Sequence, residues 1–287
     1  MHTLRFGNKV MTLDAPRVMG IVNCTPDSFY DGGLHGEASG QIQHARRLIR
    51  AGADIIDLGG ASTRPGAPAV APEEEWRRIA PVLEGLLNEA PETIVSVDTF
   101  HADVARRALN GGALMINDVT GGNGDPGMWP VVAEAGVPYV LMHMQGTPQT
   151  MQQNPSYPDG VVPAVFQQLL HRIAAAREAG LSDVVADVGF GFGKTLEDNY
   201  DLLANLTAFS LLDVPVLVGV SRKSMIYKAL QTDAQGALNG TTALHAWALD
   251  RGAHILRVHD AQEAVEAIAL HRLLHAAQDR SGQSDPR

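Results

Sequence analysis

The stretch ADIIDLGGASTRPGAP (53–68) decides the fold. From Ile55 to Leu58 it is apolar except at Asp57, it is too short for a helix, and it ends in glycines and turn-forming residues. A run of this kind suits a strand buried on both faces, as in a parallel sheet covered by helices. Seven further runs share the pattern: VMGIVN (18–23), TIVSVDT (93–99), LMINDV (114–119), PYVLMH (138–143), VVADVG (184–189), PVLVGVS (215–221) and ILRVHD (255–260). Between them lie stretches with apolar residues at helical spacing. These are QIQHARRLIRAG (41–52), EEEWRRIAPVLEGLLNEA (73–90), ADVARRALNGG (102–112), VVPAVFQQLLHRIAAAREAG (161–180), NYDLLANLTAF (199–209) and GTTALHAWALDRG (240–252), with AQEAVEAIALHRLLHAAQ (261–278) closing the chain. Eight strands at a mean spacing of about 34 residues predict an α/β fold of the (β/α)8 TIM-barrel type. A doubly wound sheet is the alternative. The opening LRFGNKVMTLD (4–14) reads as a β-hairpin around Gly7-Asn8 that could cover the barrel bottom. No linker or low-complexity stretch divides the chain, so residues 1–287 are read as one domain with a frayed, polar end at 279–287.

Composition narrows the function. A formal net charge of −10 argues against nucleic acid or an anionic membrane as the main partner, without excluding a small anionic substrate in a local basic pocket. The single cysteine, Cys24, permits no internal disulfide and fits a cytoplasmic setting. With no obvious base beside it, Cys24 reads as an apolar filler rather than a nucleophile. The N-terminal residues lack a signal pattern, and no apolar run is long enough to span a membrane.

The polar residues gather where chemistry is expected. Asn23, Asp57, Asp98, Asn117, His143, Asp187, Ser221, Arg257 and His259 all stand at the C-terminal ends of the expected strands. In a parallel barrel those ends form one mouth. Any one of them could be a cap or a satisfied buried group, but stability alone does not require so many. Two loops, NCTPDSFYDGG (23–33) and GGASTRPGAP (59–68), should overhang the mouth as lids, the second carrying Thr63 and Arg64. GFGFGK (189–194) is not a phosphate-binding P-loop, since that motif needs glycine where Val188 stands. Its glycines instead suit close backbone passage beside a flat ligand, with Phe190 or Phe192 as an apolar wall. In SRKSM (221–225), Lys223 offers a point charge, and Ser221 and Ser224 could cap a helix or hold an anion at its N-terminus. Arg257 and His259 alternate on the last strand, so two cationic donors on one face suit a phosphate or pyrophosphate. No zinc or iron spacing stands out. A magnesium ion carried in by a phosphorylated substrate would need only one or two protein oxygens, which Asn23 and its neighbours could supply.

Taken in order, VMGIVNCTPDSFYDGG, DIIDLGGASTRPGA, SVDTF, INDVTG, LMHMQGTPQTMQ, DVGFGFGK, GVSRKSMI and ILRVHD resemble the dihydropteroate synthase family, from about residue 18 to 275. The resemblance implies condensation of 6-hydroxymethyl-7,8-dihydropterin diphosphate with p-aminobenzoate to 7,8-dihydropteroate and pyrophosphate in folate biosynthesis. It also implies Mg2+ as cofactor, sulfonamides as inhibitors and a possible homodimer. Residue by residue, it makes Asp98, Asn117, Asp187 and Lys223 the pterin pocket and Asn23 the residue that meets the metal. Arg257 and His259, with Thr63 and Arg64, become the diphosphate anchors. Ser224, Pro65 and Phe190 become the surroundings of p-aminobenzoate. Asp98, Lys223 and Arg257 carry the catalytic roles. Cys24, Ala61 and Val188 depart from the commonest family pattern without touching these roles. The rival readings are a methyltetrahydrofolate-type methyltransferase on the same barrel and a non-catalytic pterin-binding paralogue.

Overall fold

The computed structural model describes residues 2–25, 33–62 and 66–282, with backbone alone at 33–37 and 279–282. Strands β1 (Thr3–Phe6) and β2 (Lys9–Thr12) form the expected antiparallel hairpin, with Gly7 at φ 61° in its turn. The chain then alternates through β3 (Arg17–Asn23), α1 (Gly33–Arg50), β4 (Ile55–Gly59), α2 (Pro72–Glu89), β5 (Ile94–Asp98), α3 (Ala102–Asn110), β6 (Met115–Asp118) and α4 (Met128–Ala135). It continues through β7 (Tyr139–Met142), α5 (Val161–Glu178), β8 (Val184–Asp187), α6 (Leu196–Ala204), β9 (Val216–Val218), α7 (Ser224–Tyr227), α8 (Leu238–Asp250), β10 (Ile255–Val258) and α9 (Ala261–Gly282). Strands β3 to β10 close into an eight-stranded barrel in chain order, every pair parallel.

The structure departs from the expected elements at three places. Helix α4 was not anticipated, because MWPVVAEA is short and almost uniformly apolar, with no polar face to mark a period. The stretch 199–209 is not one helix: α6 ends at Ala204 and a 3-10 helix follows at Leu206–Leu212. The end expected to fray from residue 279 stays helical to Gly282.

The barrel has two cores. One lies between the strands and the helices around them. The other lies inside the barrel at its lower end, where Met19, Ile55, Met115, Val140, Val185, Leu217 and Ile255 meet Leu4 and Phe6 of the hairpin and Leu13 beyond it. Ile94 packs against this second core from β5. The hairpin therefore plugs the floor, and each barrel strand contributes one residue to it.

This floor fixes what lies above. Alternate strand residues share a face, so the residue two places along also points inward. That step leads from Ile55 to Asp57, from Ile94 to Ser96, from Met115 to Asn117, from Val185 to Asp187, from Leu217 to Gly219 and from Ile255 to Arg257. An apolar floor is thus overlaid by a polar layer, which is the division between stability and chemistry expected of a barrel.

On the outer face, Asp118 ties the following loop down by accepting from the Thr120 N–H and hydroxyl and from the Gly122 N–H, and it accepts the Tyr139 hydroxyl at 2.6 Å. Tyr139→Phe removes a buried bond to a charged acceptor. It is expected to lower unfolding free energy by about 2 kcal/mol in urea titration, with turnover close to wild type. Among the described residues no helix is long and apolar enough to cross a membrane.

Candidate active site

The polar layer is organised by one guanidinium. Arg257, on β10, donates from Nε to Asp57 Oδ2 at 2.7 Å and from a terminal nitrogen to Asp98 Oδ2 at 2.7 Å. Asn117 Nδ2 donates to the same Asp57 oxygen at 2.9 Å. Asp57 is completely buried, and among the described residues its other oxygen has no partner, nor has the Ser96 hydroxyl beside it in register. Two buried oxygens toward the C-terminal ends of the strands with no partner among these residues are places for a polar ligand or ordered water to bond. Burial pushes the Asp98 carboxyl up; Arg257 opposes that shift, and the Asp57 charge adds to it. The Asp187 carboxyl is also raised, first by burial and against the pull of Lys223, and its Oδ1 accepts the Gly189 N–H at 2.8 Å.

Lys223 enters from the loop after β9. Gly219 stands in the polar layer where other strands carry side chains, and a Cβ there would lie 3.9 Å from both Arg257 Cβ and Lys223 Nζ. The missing side chain leaves room for Lys223. Its ammonium donates to the Phe190 carbonyl at 2.5 Å and lies 4.6 Å from the centre of the Phe192 ring. Burial lowers its pKa to about 8, against the attraction of Asp187. The turn that presents it is anchored by Arg222, at φ 53°, whose guanidinium pairs with both oxygens of Asp260 at 2.8 and 2.9 Å and bonds the Ala234 and Gln235 carbonyls.

The glycine-rich loop is held on every side. Gln152 donates to the Gly191 carbonyl and the Tyr157 hydroxyl to the Gly193 carbonyl, each at 2.7 Å, and the Gly191 N–H donates to Asn199 Oδ1. Lys194, nearly inaccessible, donates to the Gly189 and Phe192 carbonyls and contacts His143 Nδ1 at 2.9 Å. Burial lowers the Lys194 pKa to about 7, and burial followed by the Lys194 charge lowers that of His143 to about 3, so His143 is a neutral acceptor. Gly189, at φ 70°, admits no other residue, because a Cβ would stand 1.9 Å from the His143 carbonyl oxygen.

A protein-family model described as pterin binding enzyme matches residues 19–259. The dihydropteroate synthase of Escherichia coli (strain K12) is 46% identical over 262 residues, 91% of this chain and 92% of that protein. The chain belongs to the dihydropteroate synthase family. The crystal structure of Yersinia pestis dihydropteroate synthase with a sulfonamide drug superposes with a TM-score of 0.90 at 41% identity, covering 96% of this chain and 100% of that one. Xanthomonas albilineans dihydropteroate synthase with 4-aminobenzoic acid gives 0.89 at 44% identity, covering 96% and 98%.

Within this dihydropteroate synthase fold, Asp98, Asn117, Asp187, Lys223 and Arg257 come together as expected, and Ser224 follows Lys223 as the first residue of α7. Thr63, Arg64 and Pro65 lie outside the described residues, as does much of the first lid loop. Phe190 is corrected: it is fully buried in the outer core and cannot wall a ligand, while Phe192, two residues on, is half-buried under Lys223. The serines are not caps, since Lys223 occupies the cap position of α7 and Ser221 faces His259, its Oγ 3.0 Å from Nδ1. His259 is not a second cation in the ligand-free protein, because burial, then Arg257, lowers its pKa to about 4. The Cys24 thiol is buried and pushed up to about 12, consistent with a filler. Asp57 stands at a strand end with no local feature that assigns it a role, and the anchors Arg222, Asp260 and Lys194 are not among the residues the sequence points to. For the anchors the only signal was a charge beside a glycine-rich or serine-rich turn.

Proposed function

We propose that the whole chain, acting as one barrel domain, condenses 6-hydroxymethyl-7,8-dihydropterin diphosphate with p-aminobenzoate, giving 7,8-dihydropteroate and pyrophosphate in folate biosynthesis. The observation that carries the reading is the convergence of Arg257, Asp57, Asp98, Asn117 and Asp187 from the strands, and Lys223 from the loop after β9, at one mouth of a dihydropteroate synthase barrel. A non-catalytic paralogue would be expected to have lost such residues, and Asn23, Lys223, Arg257 and His259 are all present.

In this reading, Asp98, Asn117 and Asp187 hydrogen-bond the donor- and acceptor-rich edge of the pterin. Lys223 adds a donor from the side of Gly219. The methylene C–O bond breaks and its electron pair leaves with pyrophosphate; the amine of p-aminobenzoate forms the new C–N bond and gives up a proton to solvent. The Asp98 carboxylate stabilises cationic character at the methylene, while Arg257 balances the diphosphate leaving group. The Ser221 hydroxyl accepts the His259 backbone N–H at 3.1 Å, so its own proton is available to Nδ1. Neutral His259 then keeps a proton on Nε2 for a phosphate oxygen, and a bound dianion raises its pKa. The lid residues Thr63 and Arg64 supply further phosphate donors, and Pro65 and Ser224 border the p-aminobenzoate ring.

Asn23 fits a role in holding Mg2+. It ends β3 at the mouth with an exposed side chain after five buried residues, and its neutral amide oxygen suits a hard ion that takes most of its ligands from diphosphate and water. When bound there, Mg2+ would supply charge neutralisation for the leaving group.

Phe192, rather than Phe190, supports the aromatic ring of p-aminobenzoate. Phe192→Ala is expected to raise KM for p-aminobenzoate about tenfold with little change in KM for the pterin diphosphate, whereas Phe190→Leu should cost stability and leave both KM values alone. Steady-state kinetics with each substrate varied in turn checks both. Sulfonamides should compete at this same place. Outside the mouth, Trp247 on α8 and Leu270, Leu273 and Leu274 on α9 are large exposed apolar residues, and we place a homodimer there, testable by sedimentation. A cytoplasmic setting rests on the lone cysteine. The reaction itself is tested by mass-spectrometric detection of 7,8-dihydropteroate after incubation with both substrates and Mg2+; no product at any enzyme concentration would refute it.

A further inference from the structure

Outside the barrel mouth, helices α8 and α9 pack side by side and carry a group of metal-ligand residues that the pterin chemistry does not use. His271 and His275 stand one turn apart on α9, and Asp250 ends α8. One ligand atom from each of the three lies within 4.8 Å of the other two. The two imidazole rings are 4.3 Å apart between centres. The Nε2 atom of His271 is buried and makes no hydrogen bond among the described residues. A buried ring nitrogen with no partner costs free energy unless something binds it. Among the described residues Asp250 has one ion pair, a loose one with the neighbouring Arg251 at 3.7 Å.

We infer that Asp250, His271 and His275 form a binding site for a divalent transition metal, zinc above all, outside the barrel and bordering the apolar residues on which the homodimer is placed. Two imidazoles and one carboxylate suit zinc, copper or nickel rather than the all-oxygen preference of magnesium or calcium. Three protein ligands leave the fourth tetrahedral position for water. Zinc–nitrogen and zinc–oxygen bonds of about 2.0–2.2 Å place tetrahedral ligands about 3.3–3.6 Å apart. Binding therefore requires the ligand atoms, now within 4.8 Å of one another, to draw together, with the exposed Asp250 and His275 as the side chains to turn. A bound ion would join the end of α8 to the middle of α9, two segments otherwise held there by packing. The spacing H-x3-H in HRLLH supplies two of the ligands, but the third comes from a different helix, so the sequence alone showed no complete set.

The test is calorimetric titration of the untagged, full-length protein with zinc chloride at neutral pH, in the presence of excess Mg2+ to occupy oxygen-only sites. The wild type is expected to take up one zinc per chain. His275→Ala, made at a side chain exposed in the single chain and checked for an unchanged sedimentation coefficient, is expected to weaken binding at least about tenfold, and Asp250→Asn likewise. Zinc should also raise the melting temperature of the wild type and not that of His275→Ala. The proposal is overturned if the wild type takes up no zinc at a tenfold excess, or if the His271→Ala/His275→Ala protein binds zinc with unchanged stoichiometry and affinity.

Discussion

Arg257→Ala is expected to lower kcat/KM for the pterin diphosphate by about a thousandfold. The guanidinium does two things at once. It donates to Asp57 and Asp98, each at 2.7 Å, and so allows two carboxylates to sit in one buried layer. It also gives a mouth that contains three aspartates the positive charge needed to accept a diphosphate. Without it the remaining carboxylates repel one another and the incoming anion, and at least one of them takes up a proton. Breaking such a pair by removing one partner costs about 3–5 kcal/mol of stability in a fully buried setting, and less here because the arginine side chain is 20% exposed. Arg257→Lys keeps the charge but cannot span both carboxylates, so it should recover part of the stability and little of the rate. Kinetics and urea unfolding on the same samples separate the two effects. A rate within tenfold of wild type for Arg257→Ala would remove Arg257 from the machinery.

Lys223→Ala is expected to cost about a hundredfold in kcat/KM and to remove a pH dependence. Burial lowers the Lys223 pKa to about 8 in the free protein. The group is therefore charged below that pH and loses its proton as pH rises through it. Free-enzyme ionisations appear in kcat/KM, so the wild-type profile should fall on its alkaline side near pH 8. Lys223→Arg, which stays charged, should move that limb to higher pH, while Lys223→Ala should abolish it. A limb that persists unchanged in Lys223→Ala belongs to another group and would contradict the assignment.

The barrel was legible because each strand carries an apolar run that only two-sided burial explains, and because polar residues recur at the run ends. Position along a strand could therefore be read, but direction around the ring could not. Asp57 shows the limit. Its run is buried on both faces, so nothing local distinguishes a carboxylate facing the helices from one facing Arg257, whose residue lies 200 positions along the chain. The two phenylalanines of GFGFGK show the same limit in a loop: with glycines at φ 70°, 81° and 66° around them, no simple alternation says which ring is buried. Residue type alone makes His259 a candidate cation, whereas its charge depends on burial and on Arg257 two residues away. Helix α4 lacked a polar face, and the outer histidines needed Asp250 from another element. What the sequence states locally it states well; what depends on closure of the ring becomes visible only when the ring is closed.

The most direct test of the whole account is pyrophosphate release by the purified protein from 6-hydroxymethyl-7,8-dihydropterin diphosphate and Mg2+, measured with and without p-aminobenzoate. The account predicts rapid release that requires p-aminobenzoate and is competitively suppressed by a sulfonamide. No release, or release indifferent to p-aminobenzoate, would contradict it.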